Sequence, residues 1–258
     1  MLKVIIVAIC VVIFALTLRS KYTYFYKNLH LLTRQEVANI IKSKIDSKNN
    51  REINTKYVSH VSYVLSDKEE LCKDIKTCDL RDGDILIRRY VTDKTRLLDK
   101  TLHPYYTHMA FYIGDGYIVE ANGTEENKED DIIKEKINTS DWYDSEIPSF
   151  IILRPTYSKD TLAKIDAELT VIANDSQYIF GIPDTNDSRN ANINNVINTN
   201  SNKNKKQTYC SYIIYDELIT HRIIIDRGTK TNKRFISPDY LFSILMSSTS
   251  TEMTGYRF

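Results

Sequence analysis

Charge of one sign is missing from this sequence. Thirty-five Lys and Arg stand against 34 Asp and Glu, a net charge of +1 over 258 residues. No field is left to gather a polyanion, so nucleic acid is excluded as the expected partner. Clustered metal ligands are missing too. The four cysteines are Cys10, Cys72, Cys78 and Cys210. Cys72 and Cys78 flank KDIKT with no second Cys or His pair nearby, which argues against zinc there. They are close enough to close a small disulfide loop, as an oxidising compartment allows, or to remain two surface thiols. His103 precedes Pro104 in a loop and is poorly placed to join His108 and Glu120 around an ion. No metal and no cofactor is expected. The third absence is a cleavage site. The apolar run VIIVAICVVIFALTL (Val4 to Leu18) is followed by no small-x-small motif, so it reads as an uncleaved transmembrane anchor over residues 1–20. Lys3 lies on one side of it and Arg19, Lys21 and Lys27 on the other, so the positive-inside rule does not orient it. The expectation is a single-pass membrane protein with its main domain outside the cytoplasm.

Residues 21–78 read as a helical spacer with a short strand. In LLTRQEVANIIKSKID, Thr33 and Glu36 have capping-box spacing, and Val37, Ile40, Ile41 and Ile45 share one face. YVSHVSYVL (Tyr57 to Leu65) reads as a strand with a structural His60. The main domain is expected over 79–246, with 247–258 as a tail. It opens with the turn Asp82-Gly83 leading into Ile85, Leu86 and Ile87. THMAFYIGDGYIVEA is a hairpin whose parity depends on its loop. With a three-residue loop Gly114-Asp115-Gly116, His108 and Glu120 become diagonal neighbours on one face, whereas a two-residue turn separates them. EENKEDDIIKEK reads as solvated loop or surface helix. PSFIILRP is a strand. KDTLAKIDAELTVIAND is a packing helix with Leu162, Ile165, Leu169 and Ile172 inward and Asp160 placed to cap it. Asn186 to Gln207 has the composition of a mobile, Asn-rich loop.

That loop ends beside TYCSYIIYDELI, where Ile213, Ile214 and Leu218 give a helical face and Cys210 falls in the first turn. A thiol there lies beside N–H groups that no intrahelical carbonyl takes, at the positive end of the helix dipole, and both stabilise a thiolate. A nucleophilic Cys, a His and a carboxylate that orients the His make up the machinery of thiol acyl transfer. The commoner fate of a single Cys is a buried inert thiol, and spacing alone does not bring the helix to the hairpin.

LRDGDILIR, THMAFYIGDGYIVEA, YCSYIIYDEL and ISPDYL, in that order over about Leu80 to Leu245, resemble the circularly permuted, papain-like branch of the NlpC-type cysteine hydrolases, of the YiiX-like kind. The resemblance implies an α+β, permuted papain-like fold in which an antiparallel sheet packs against helices. It implies Cys210 as nucleophile, His108 as general base and acid, and Glu120 as the residue orienting the imidazole. The implied activity is a thiol hydrolase or acyltransferase, of peptidase or amidase type, cleaving an amide or ester of a cell-wall peptide or a lipid through a thioester. Tyr106, Tyr209 and Ser211 flank the site and are candidates to bind substrate, although core packing explains the tyrosines equally well. The chain departs from the family in having Tyr212 where a glutamate often stands two residues after the cysteine, and in the length of the Asn-rich insertion. Two other classes remain open: a catalytically inactive binding module of the same fold, and a structural membrane-tethered protein.

Overall fold

The computed structural model describes residues 31–55, 71–89, 105–122, 131–143, 147, 149–175, 178–180, 206–225 and 236–257. The expected anchor, the expected strand 57–65, His103 and most of the Asn-rich segment lie outside the described residues. Among the described residues no helix is long and apolar enough to cross a membrane.

The strands are β1 (Ile85–Arg89), β2 (His108–Tyr112), β3 (Tyr117–Asn122), β4 (Asp131–Lys136), β5 (Ser149–Pro155), β6 (Tyr178–Phe180), β7 (Lys206–Thr208) and β8 (Thr251–Arg257). Six of them form an antiparallel sheet in the order β4-β3-β2-β1-β5-β8, and β6 and β7 make a separate parallel pair. The helices are α1 (Arg34–Thr55), α2 (Lys159–Asn174), α3 (Cys210–Thr220) and α4 (Pro238–Ser247). The architecture is α+β.

Alternation divides the sheet into two faces, and both are buried. Ile85, Ile87, Met109, Phe111, Val119, Ile151 and Leu153 meet Ile165 and Leu169 of α2, Ile213, Ile214 and Leu218 of α3, and Leu241, Phe242 and Leu245 of α4. On the other face Leu86, Ala110, Ile118 and Ile152 pack under Ile75, Ile137 and Trp142, which come from short 3₁₀ turns. Two buried faces explain why β1 and β5 read as continuous apolar runs rather than alternating ones.

Several expectations are confirmed. Thr33 and Glu36 form a reciprocal capping box, with the Thr33 N–H donating to Glu36 Oε2 at 2.7 Å and the Glu36 N–H to Thr33 Oγ1 at 3.3 Å. The Asp82-Gly83 turn precedes β1, with Gly83 at φ 88°. Cys210 is the first residue of α3. Cys72 and Cys78 are joined in a disulfide.

Other expectations are corrected. Residues 31–78 are more than a spacer: Val37 and Ile41 enter the main core, and Lys44 Nζ donates to the Met246 and Ser248 carbonyls. The charged run is an edge strand rather than loop or helix over Asp131–Lys136, because Ile132 buries inward while Lys134 and Lys136 face water. Ser158, not Asp160, caps α2, its Oγ accepting the Thr161 N–H at 3.1 Å. The end of the chain is no tail: β8 pairs with β5 and closes the sheet. Within the Asn-rich segment, Lys206 and Gln207 already belong to β7.

Candidate active site

The hairpin takes the three-residue loop. Gly114, Asp115 and Gly116 all have positive φ, 81°, 51° and 80°, a conformation glycine adopts without penalty and Asp tolerates. The Ile113 N–H donates to the Tyr117 carbonyl at 3.0 Å, and Tyr112 then pairs with Ile118. In this register His108, the first residue of β2, meets Glu120 of β3. His108 Nε2 lies 2.8 Å from Glu120 Oε2, and each side chain is 1% exposed.

Two more side chains complete this buried polar group. The Trp142 indole N–H donates to the same Glu120 oxygen at 2.6 Å. The Trp142 ring stands 5.8 Å from the His108 ring, and the Arg88 guanidinium lies over it at 4.2 Å. Arg88 is paired with His108 across the β1–β2 ladder, so the cation shares its face. Burial by itself raises the Glu120 carboxyl. The charge and hydrogen bond of His108, the charge of Arg88 and the Trp142 N–H outweigh it and hold Glu120 well below the usual carboxylate range. Glu135, opposite Ile118 on β4, is pushed the other way: burial and the neighbouring Glu120 raise it to about 7. Of these two carboxyls, Glu120 is the one that stays ionised.

An ionised Glu120 only accepts hydrogen bonds, so Nε2 of His108 carries the proton in the neutral ring and the lone pair resides on Nδ1. Nδ1 is buried and has no hydrogen-bond partner among the described residues. The imidazole is held at one nitrogen and open at the other.

Cys210 opens α3 behind an extended Tyr209 (φ −149°, ψ 169°), is 7% exposed and takes no part in a disulfide. The helix packs against β2 and β3, the strands that carry His108 and Glu120. Cys210 belongs to the same core cluster as Tyr106 and Met109, which bracket His108 in the chain.

The ISPDYL segment holds both parts of the site. Tyr209 Oη accepts the Ile236 N–H at 2.7 Å, and Ser211 Oγ donates to the Ile236 carbonyl at 2.6 Å, so the residues on either side of Cys210 grip one residue. Three positions later, Asp239 accepts the N–H groups of Tyr105 and Tyr106, each at 2.8 Å, and of Leu32 at 2.9 Å. The entry to α3 and the entry to β2 are therefore fixed to the start of α4. Tyr106, Tyr209 and Ser211, considered above as substrate contacts, are all buried. Tyr209 and Ser211 are bonded to Ile236, and Tyr106 packs between Tyr105 and Phe242. Their observed work is framework. An open cleft lies at the hairpin end, lined by Tyr112, Asp115, Lys136 and Tyr143, and neither Cys210 nor His108 borders it.

No protein-family model matches the chain. No curated protein matches it either. Arg88, Trp142, Glu135 and Asp239 were not singled out from sequence. Arg88 carried a signal, being a charge that follows three apolar residues on an inward parity, and Trp142 is the single tryptophan. Asp239 carried none beyond its place in ISPDYL.

Proposed function

We propose that this protein is a thiol hydrolase or acyltransferase with Cys210 as nucleophile, His108 as general base and acid, and Glu120 orienting the imidazole, on a permuted papain-like fold of the NlpC type. One observation carries the reading: a fully buried imidazole is bonded through Nε2 to an ionised carboxylate while Nδ1 is left without a partner. A buried polar atom without a partner is costly, and a general base waiting for a proton is one reason to keep it. The reading requires the Cys210 sulfur to meet Nδ1 at the first residue of β2. The packing of α3 on β2 and β3 and the shared anchoring on α4 support that approach.

In this mechanism Nδ1 takes the thiol proton and the thiolate adds to an acyl carbonyl. The first-turn N–H groups of α3 steady the oxyanion. The C–N or C–O bond then breaks as His108 returns the proton to the leaving amine or alcohol. Water, or an acceptor hydroxyl or amine, releases the thioester. The substrate class is an amide or ester of a cell-wall peptide or a membrane lipid, within reach of a chain tethered by its N-terminal apolar run. The Cys72–Cys78 disulfide supports an extracytoplasmic location.

Labelling with an electrophilic acyl probe tests the reading. The wild-type chain is expected to take one label, Cys210→Ala none, and His108→Ala to label about 10²–10⁴-fold more slowly, the usual contribution of a general base. A wild type that never labels, or a label that survives Cys210→Ala, overturns it.

A further inference from the structure

Away from the candidate active site, a second group of titratable side chains gathers at the far end of α3. Glu217 and His221 stand one helical turn apart, and Glu168 reaches them from α2. By helix rise they lie about 10 and 16 Å along the axis from Cys210, so they belong to a different place in the molecule. His221 Nε2 is 2.9 Å from Glu168 Oε2 and 3.5 Å from Glu217 Oε2, and one ligand atom from each residue lies within 4.8 Å of the others.

A second observation sets this group apart from an ordinary surface ion pair. Glu217 is 7% exposed, and its Oε2, turned toward His221 and Glu168, has no hydrogen-bond partner among the described residues. Two carboxylates and the nearby Asp216 crowd one place, opposed by His221 and by the Lys164 charge beside Glu168. Such a contact holds together through a shared proton or through a cation.

We propose that Glu168, Glu217 and His221 bind a divalent transition-metal ion of the zinc class, with three protein ligands and the remaining position open to water. The spacing suits this ion. Zinc bound tetrahedrally at about 2.0–2.2 Å separates its ligand atoms by about 3.3–3.6 Å, close to the distances already present. The imidazole selects against the hard cations magnesium and calcium, which prefer all-oxygen shells. Glu168, half exposed, leaves the open side toward solvent. A metal here joins α2 to the helix that carries Cys210 at its other end.

The test is equilibrium dialysis of the full chain in detergent micelles against zinc, without an affinity tag and in a Cys210→Ala background so that the thiol cannot contribute. The expected result is one zinc per chain, with an upward shift of the thermal midpoint that a chelator reverses and that magnesium does not produce. Glu168→Gln changes a half-exposed residue and leaves the core intact. Glu217→Gln keeps a hydrogen-bonding partner for Glu168. Each is expected to weaken zinc binding by more than about 10-fold, at least the cost of disturbing a ligand's outer partner. Failure of the parent chain to retain zinc, retention unchanged in both variants, or an equal response to magnesium overturns the proposal.

Discussion

At the scale of single residues, everything turns on which nitrogen of His108 is occupied. Glu120 takes Nε2 and is itself held ionised by His108, Arg88 and the Trp142 N–H, so Nδ1 is the nitrogen left for chemistry. Trp142 is therefore part of the electrostatics as well as the core. Trp142→Phe removes a donor to a buried charge while keeping an aromatic ring. We expect it to cost about 1.5–3 kcal/mol of unfolding free energy, read by chemical denaturation followed by circular dichroism, since the only tryptophan is gone. An unchanged stability would mean that the indole N–H does not hold Glu120. His108 and Glu120 were legible as a pair because side-chain parity follows from the loop length alone. Arg88 and Trp142 were not, because their contact joins a strand to a 3₁₀ turn more than 50 residues later in the chain, and no local pattern encodes that meeting.

Among elements, the hairpin and the outermost strand β8 show opposite degrees of legibility. The hairpin is determined locally, by three residues that accept positive φ and an apolar alternation on either side. The last strand is determined by what it lies against. Gly255 sits directly under the Cys72 sulfur, and a Cβ there would collide with it. The disulfide loop uses that gap to pair along β8, the Cys72 N–H donating to the Thr254 carbonyl and the Tyr256 N–H to the Cys72 carbonyl. An exposed sheet edge is thereby covered. Gly255→Ala is expected to destabilise the domain by about 1–3 kcal/mol, the range for overpacking, and to make the disulfide more accessible to reductant. Thermal denaturation and thiol titration under mild reduction check both effects, and a variant indistinguishable from wild type would show that the contact is not tight. TEMTGYR, short and mixed in polarity, reads as a tail for the same reason: its pairing is long-range. β4 was hidden by its charges, because an edge strand needs few apolar residues and a loop has the same composition.

For the whole molecule, the partly and fully buried carboxyls determine how stability follows pH. Burial, with Asp82 beside it, raises Asp166 to about 7. Burial and Glu120 raise Glu135 to about 7, and burial raises Asp239 to about 6 against the pull of its three N–H donors. An acid whose folded-state pKa is raised binds its proton more tightly when folded. Its contribution to stability is complete below the unfolded value and is lost as pH rises through the folded one. Glu120 runs the other way: its contribution is present above the ordinary carboxylate range and is lost on further acidification. The thermal midpoint is thus expected to be higher near about pH 5 than near about pH 8, and to fall again below about pH 4. Circular dichroism melts across a buffer series check this, and a midpoint that falls steadily from pH 8 to pH 5 contradicts it.

The sequence alone determined the local features: the capping box at Thr33, the parity that pairs His108 with Glu120, the helix start at Cys210, and a charge balance that excludes a polyanion partner. Each depends on residues within about a dozen positions of one another, where backbone geometry leaves few alternatives. The tertiary structure decided the rest. It made the two ends of the described chain, α1 and β8, part of one domain, and it brought Arg88 and Trp142 to Glu120. It tied the entries of α3 and β2 to α4 through Ile236 and Asp239, and it gathered Glu168, Glu217 and His221 at the far end of the Cys210 helix. These are contacts between segments far apart in the chain. Their formation depends on how two buried faces of a single sheet are covered, which no local pattern of residues specifies.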